Sequence, residues 1–332
     1  MDIIAKFLLD AEITFQTEVS LASFSMMRAG GVCSYFVTPN SIDKLQILLA
    51  FLKSKGVPFR VVGKLSNVLF RDGLIKTIII STCKLRNHGF NADGEYRTES
   101  GASVPEMAHQ LSQAGYVGFS GLVGLPASIG GAVYMNADCY GNAISDFLVR
   151  VKCCNELGDI VEFKKDVLDF SWRHSVFQQD CNGCVILEAF FAPERGDITQ
   201  IQVHMSESTV NRQTFQDHRY PNLGSIFATR DIYRAIGNRF AFYNLGYWLT
   251  RFWVKFHKRD RAILWARLIN QYTQRYFKIG DTDQVGFSEY TFNCIVNKGG
   301  ANASELISFI HHVEESIESC VPLEIEIFED IA

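Results

Sequence analysis

At 332 residues, with 47% hydrophobic and 20% charged residues, the chain is an ordinary globular mixture, long enough for two or three domains with full cores. Its formal net charge of −4 argues against a general nucleic-acid binder. No uninterrupted apolar run reaches the roughly 18 residues of a membrane span. The acidic N-terminal stretch does not read as a signal peptide, and nine cysteines, an odd count, suggest reduced thiols in a cytoplasmic setting.

In chain order, residues 3–14 predict a short helix with Ile4, Phe7, Leu8 and Ala11 on one face. Leu45, Leu48, Leu49 and Leu52 recur at helical spacing over 41–55, and 57–62 and 77–81 read as strands. Strand, helix and strand in this order suggest a βαβ-like unit in an α+β domain. Residues 118–141 carry glycine at 118, 121, 124, 130, 131 and 141 with Pro126 among them, a composition that argues against regular helix. Such loops let backbone approach a ligand, and their exposed N–H groups can cup an anion.

Residues 147–154, 159–163 and 185–191 predict strands. Cys181-Asn-Gly-Cys184 has the spacing of a metal half-site, but no second pair follows and Asn-Gly favours a hairpin turn, so no metal is expected. A polar helix is read within 195–216. Residues 303–320 form an amphipathic pattern with Leu306, Ile307, Ile310, Val313 and Ile317 on one face, capped by Asn302 or Ser304. Leu323, Ile325 and Ile327 alternate in a closing strand, which puts Glu324 and Glu326 on its other face.

The order Gly124-Leu-Pro-Ala-Ser-Ile-Gly-Gly-Ala132 followed by Met135-Asn-Ala137 resembles the flavin-cradling loop of the UDP-N-acetylenolpyruvoylglucosamine reductase family (MurB). Ser23 to Val37, with the turn Gly30-Gly31, resembles that family's entry strand. Gly63-Lys-Leu-Ser-Asn67 resembles its first phosphate loop, Gly-x-Gly-Ser-Asn, and Ser100-Gly-Ala-Ser-Val104 resembles Ala-Gly-Ala-Gly-Val. The resemblance thus implies cofactor contacts at Gly63, Lys64, Leu65, Ser66, Asn67, Gly101, Leu125, Pro126, Ala127, Ser128, Gly130 and Gly131. Leu65, Ser103 and Ala127 each stand where the family has glycine, which puts the tightness of flavin binding in question.

Leu168 to Phe177 resembles Tyr-Arg-x-Ser-x-Phe, making Arg173 the active-site arginine with Trp172 in place of the tyrosine. Arg212 to Phe227 resembles Arg-x3-Gln-Pro…Tyr-Pro-Asn-Ala-Gly-Ser-x-Phe, which implies Ser225 as proton donor and Arg212, Tyr220 and Asn222 at the substrate. Ser288 to Asn297 resembles Ser-x-Lys-His-Ala-Asn-Phe-Ile-Val-Asn, adding Asn293 to the substrate set, with Lys-His lost. Leu323-Glu-Ile-Glu-Ile327 resembles Leu-Glu-Pro-Glu-Val, whose second glutamate is catalytic; that residue is Glu326.

The family's Lys-Asn-Pro after the serine loop is Ala228-Thr-Arg230 here, and 231–265 has no counterpart in the resemblance. This insert is rich in aromatics, among them Tyr233, Phe240, Phe242, Tyr247, Trp248, Phe252, Trp253, Phe256 and Trp265. Its second half is basic, with Arg251, Lys255, His257, Lys258, Arg259 and Arg261. It can pack on its own domain or a partner, burying Trp248 and Trp253, or lie on an anionic membrane surface; packing is favoured.

The resemblance implies an α+β fold: a PCMH-type FAD-binding part over 1–213 in two subdomains split near 92, a smaller substrate domain over 214–318, and a C-terminal strand, 319–332, returning to the site. It implies non-covalent FAD, NADPH as reductant and reduction of UDP-N-acetylglucosamine enolpyruvate. Alternatives are a paralogue acting on another nucleotide sugar, or a non-catalytic binding protein using the flavin fold.

Overall fold

The computed structural model describes residues 2–179, 181, 183–255 and 261–330; Asn182, Phe256, His257, Lys258 and Arg259 lie outside the described residues. The first helix is shorter than the pattern predicts. It runs Ile3–Asp10, because Ala11 caps it and Glu12 turns into left-handed backbone at φ 51°. The polar strand Thr14–Ser20, which no hydrophobic run announces, follows and pairs antiparallel with Val32–Thr38.

Val32–Thr38 also pairs parallel with Ile78–Ser81, which pairs parallel with Phe59–Val62. The helix Ile42–Ser54, its N-terminus capped by the Ser41 hydroxyl, connects them and lays Leu45, Leu48, Leu49 and Leu52 on Val37, Ile78 and Ile80. Parallel neighbours require such a crossover, so the leucine periodicity and the sheet order follow from one another.

A second, antiparallel sheet has the order Ile160–Lys164, Leu148–Cys154, Val185–Phe191, Tyr96–Glu99, His88–Phe90. Val185–Phe191 is buried at every position, as a central strand covered on both faces must be. The helix Val104–Gln113 packs on this sheet, together with the glycine-rich stretch. That stretch is not loop throughout. It contains the 3₁₀ turn Ser120–Gly124 and a six-residue helix, Ile129–Tyr134, which Ser128 opens by accepting the Gly131 N–H at 3.4 Å. A short helix tolerates Gly130 and Gly131 because a cap and the burial of Ile129, Ala132 and Val133 offset their poor propensity.

The helix Ile198–Phe215 leads to a third core, built from Ile232–Arg239, Ala241–Val254, Arg261–Phe277, the hairpin Val285–Phe287/Ile295–Asn297 and Ala303–Ser316. Asn302 and Glu305 form a capping box on the last helix. Within the insert, Tyr243 and Tyr247 point inward, and the Tyr243 hydroxyl bonds Thr273 Oγ1 at 2.8 Å. Trp248 and Trp253, expected to be buried by packing, instead stand 57% and 52% exposed, because the helix turns its tyrosine face rather than its tryptophans inward. All nine cysteines are free thiols. Among the described residues no group of three His, Cys, Asp or Glu gathers as a metal site, and no helix is long and apolar enough to cross a membrane.

Leu65 occupies the glycine position of its loop while keeping a glycine-like backbone, φ 52°. Left-handed backbone costs a side-chain-bearing residue about 1–2 kcal/mol. Burial offsets this: Leu65 is 4% exposed, packed with Leu21, Phe70 and Phe328. Leu65→Ala should therefore destabilise by about 2–4 kcal/mol, since the burial is lost and the strain kept. Leu65→Gly should be no worse than Leu65→Ala, reversing the usual order in which Gly is worse by about 1 kcal/mol. Urea unfolding of both variants checks this, and a glycine variant clearly weaker than the alanine one contradicts it.

Candidate active site

A single cavity of about 1020 Å³ runs from the loop at 63–67 past 125–131 to the corner where Arg173, Ser225 and Glu324 meet. At the first end neighbouring atoms leave no room for side chains at two glycines. A Cβ on Gly63 would stand 2.0 Å from Ser128 Oγ, and one on Gly101 would stand 1.7 Å from the Thr82 carbonyl oxygen. Both glycines are required by packing, as the sequence motif implies, though Gly101 lies behind the cavity wall rather than on it.

The other two glycine replacements are strain-free. Ser103 is extended at φ −81° and uses its hydroxyl to accept from Lys64 Nζ at 2.8 Å, steadying a cation in the wall. Ala127 lies outside the positive-φ positions and donates its N–H to the Leu125 carbonyl at 2.8 Å. Ser100 Oγ is buried in the wall and, among the described residues, has no hydrogen-bond partner. A cation, an uncommitted buried hydroxyl and closely approaching glycine backbone suit an extended, phosphate-bearing cofactor. Ser66, Asn67, Leu125, Pro126, Ser128, Gly130 and Gly131 line the same stretch of wall.

At the other end the chain is held by backbone bonds. Asn222 donates to the Asp217 and Tyr220 carbonyls at 2.8 and 2.9 Å and accepts the Gly224 N–H at 3.1 Å, shaping the turn before Ser225. Asn293 clamps the far side, accepting the Phe227 N–H at 2.7 Å and donating to its carbonyl at 3.0 Å. Ser225 is left exposed on the cavity wall between these clamps. Asn293 therefore shapes the site from behind it, and Tyr220 and Trp172 also stand off the cavity lining. Trp172 lies beside Arg173, whose guanidinium is 6.0 Å from its ring centre. Arg212, from the last turn of Ile198–Phe215, lines the cavity, and burial lowers its pKa.

The two closing glutamates take different partners. Glu324 N–H donates to the Ile226 carbonyl at 2.7 Å, which places it beside Ser225. Its carboxylate lies 3.1 Å from Arg173 Nε, within ion-pair distance. The alignment falls short of a hydrogen bond, so among the described residues that buried Nε keeps its donor uncommitted. Asp138 stands 3.4 Å from the other side of the same guanidinium. Glu326 instead donates its N–H to the Asn67 carbonyl at 2.9 Å, and its carboxylate pairs with Arg60 near the first loop. Strand geometry begins only at Glu326, and the bend at 324–325 breaks the alternation that puts both glutamates on one face.

Burial pushes the Glu324 carboxyl up to about 7; Arg173 pulls it down and Asp138 pushes it further up. Its side chain is 10% exposed. Arg173 itself is held in left-handed backbone at φ 56°, a strained conformation of the kind that collects at functional sites. Glu324, Asp138 and Arg60 were not singled out from sequence; only the alternation in the closing segment pointed toward Glu324.

Residues 33–164 match the family model described as an FAD binding domain, and residues 216–327 match that of the UDP-N-acetylenolpyruvoylglucosamine reductase C-terminal domain. The chain is 29% identical over 316 residues to the UDP-N-acetylenolpyruvoylglucosamine reductase of Shouchella clausii, covering 95% of this chain and 90% of that one. It is 32% identical to the enzyme of that name from Staphylococcus haemolyticus over 207 residues, 62% of this chain and 66% of that one. The crystal structure of the MurB reductase from Thermus caldophilus superposes with a TM-score of 0.70 at 21% identity, over 96% of this chain and 99% of that one, so the fold is shared. With both halves of the chain matched in order, this protein is an FAD-dependent oxidoreductase of the UDP-N-acetylenolpyruvoylglucosamine reductase family.

Proposed function

We propose that this chain carries out the NADPH-linked reduction of UDP-N-acetylglucosamine enolpyruvate to UDP-N-acetylmuramate. The observation that carries this reading is the corner of the cavity where Ser225, Arg173 and Glu324 converge, joined through the Ile226–Glu324 backbone bond and the Arg173–Glu324 ion pair. It lies in one cavity with the loops suited to FAD. When bound, FAD supplies the hydride acceptor for NADPH and the hydride donor for the substrate double bond.

Hydride arriving at the enolpyruvyl β-carbon leaves negative charge spread from the α-carbon onto the carboxylate. Arg173, on the cavity wall, offers a permanent charge to that enolate. Glu324, raised by burial to about 7, is about half protonated at neutral pH, and in that form it can donate a hydrogen bond instead of repelling the anion. Ser225 delivers the proton to the α-carbon, completing the addition of hydride and proton across the double bond. On this reading Glu324 takes the role that the motif comparison gives to Glu326, and Glu326 with Arg60 organises the cofactor end.

A second reading, a different substituent on the sugar nucleotide, is favoured by one observation. Ala228 and Thr291 line the cavity at the positions where the family motifs carry lysine and histidine. Turnover of the enolpyruvate substrate against other UDP-sugars separates the two.

Ser225→Ala should leave reduction of bound flavin by NADPH intact and slow only its reoxidation by the enol substrate, by about two to four powers of ten. Equal slowing of both half-reactions would remove Ser225 from the proton step.

The pH test distinguishes the glutamates. Glu324 keeps its proton in the folded chain from its ordinary value of 4.5 up to about 7, a window in which the unfolded chain has released it. Stability from this group is thus present at the acid end and is lost as pH rises through the window. The melting temperature should fall from pH 5 to 8 relative to Glu324→Gln, while Glu326→Gln keeps the wild-type decline. In the reoxidation half-reaction, the rate should fall as pH rises through about 7 in the wild type and lose that inflection in Glu324→Gln. Parallel curves for wild type and Glu324→Gln would contradict the assignment.

A further inference from the structure

The helix Ala241–Val254 has two faces of opposite use. Its inner face is bound to the helix Arg261–Phe277: Tyr247 meets Trp265 with ring centres 5.4 Å apart, and the Tyr272 hydroxyl donates to the Tyr243 carbonyl at 3.1 Å. Its outer face is apolar and open. Phe242 is 84% exposed, and Leu245, Trp248, Leu249 and Phe252 are each more than half exposed. These positions recur three and four residues apart, so they form one continuous stripe along the helix. From Phe242 to Phe252 it is about 15 Å long. A solvent-facing stripe of this size and aromatic content marks an interaction surface.

The charge around it is one-sided. Between residues 232 and 278 the sequence holds ten Lys and Arg against a single acidic residue, Asp260, in a chain whose formal net charge is −4. Arg239 and Arg267 are neutralised by Glu318 and Glu289 from elsewhere in the fold. Arg251 and Lys255, at the end of the stripe, are exposed, and the Arg251 guanidinium lies 5.6 Å from the Trp248 ring centre.

We propose that this face is a docking surface for an anionic lipid bilayer, on which the helix lies in the plane of the headgroups. A second copy of the chain would offer the same face, and residues 241–255 hold no Asp or Glu to meet Arg251 and Lys255. An uncharged apolar partner would leave the basic residues without a counterpart. A bilayer with anionic headgroups satisfies both features: Trp, Phe and Leu enter the headgroup boundary while Arg and Lys remain among the phosphates. The helix is too short to span, so it rests on the surface. Among the described residues between 229 and 287 none lines the catalytic cavity, so the docking face and the cavity are built from different residues.

The test uses the full-length flavin-loaded protein and vesicles of phosphatidylcholine alone or mixed with phosphatidylglycerol. Sedimentation should show binding to the mixed vesicles, little to pure phosphatidylcholine, and a fall of about tenfold or more between about 50 and about 500 mM salt. Tryptophan emission should shift to shorter wavelength on binding. Leu245→Ser/Trp248→Ser/Leu249→Ser and, separately, Arg251→Glu/Lys255→Glu should each abolish sedimentation while leaving NADPH oxidation and melting temperature near wild type.

Several outcomes overturn the proposal. One is wild-type protein that stays in the supernatant with anionic vesicles at low salt. Another is binding indifferent to salt and to the charge-reversal variant. Concentration-dependent dimers that disappear in the serine variant would assign the face to a second copy, and capture by an acidic protein without vesicle binding would assign it to a protein partner. Should either variant melt early, single Trp248→Ser and Lys255→Glu variants, expected to weaken binding severalfold each, take its place.

Discussion

The site depends on one short segment of backbone, residues 323–328. Its strand Glu326–Phe328 pairs parallel with Val68–Phe70, the Asn67 side chain donates to the Glu324 carbonyl, and the Glu326 N–H returns to the Asn67 carbonyl. Two residues earlier, the Glu324 N–H bonds Ile226. One run of chain therefore binds the cofactor-facing loop at one end and the serine-bearing loop at the other. Backbone bonds of this kind have little freedom of geometry, so the separation of the two loops is set by the short bent stretch from Glu324 to Glu326 that joins them.

That segment also places a carboxyl where water is excluded. Left alone, a buried carboxylate is unfavourable, and the group responds by holding its proton. Arg173 and Asp138 act on it in opposite directions, so neither a tight ion pair nor a fully neutral pocket results. The Arg173 guanidinium, between two carboxyl groups, lines the cavity with a permanent positive charge. The enol carboxylate of the substrate has the charge and the planar shape to meet it. At the opposite end Arg60 and Glu326 form a pair of ordinary exposure, suited to holding structure more than to moving protons.

The flavin loops show how a motif can lose letters and keep geometry. Gly63 and Gly101 persist because neighbouring atoms leave no room for a Cβ. Leu65 has lost the glycine but kept its left-handed backbone, held there by an apolar pocket that no glycine would fill. At Ser103 the backbone is ordinary, and the added hydroxyl has gained a role in steadying Lys64. Whether a glycine can be replaced is thus a question about its surroundings in three dimensions, and each of these loops answers it differently.

Much of the fold was legible in the residues themselves. The leucines of Ile42–Ser54, the face of Ala303–Ser316 and the apolar run Val185–Phe191 each carry a local period that burial then fulfils. The glycine loops, Arg173 and the serine loop were legible because short motifs recur in the family's order. The polar strand Thr14–Ser20 was not, since its pairing partner rather than its own pattern makes it a strand. Nor could alternation tell Glu324 from Glu326, because the bend between them arises from bonds to Ile226 and Asn67, far away in the chain. The insert's chemistry was plain in its aromatic and basic letters, yet which face turned outward was settled by Tyr243 and Thr273 meeting inside. Periodicity reports only neighbours three or four residues apart. Contacts between segments more than a hundred residues apart decided which glutamate meets the arginine, which leucine bears strain, and which ring faces water.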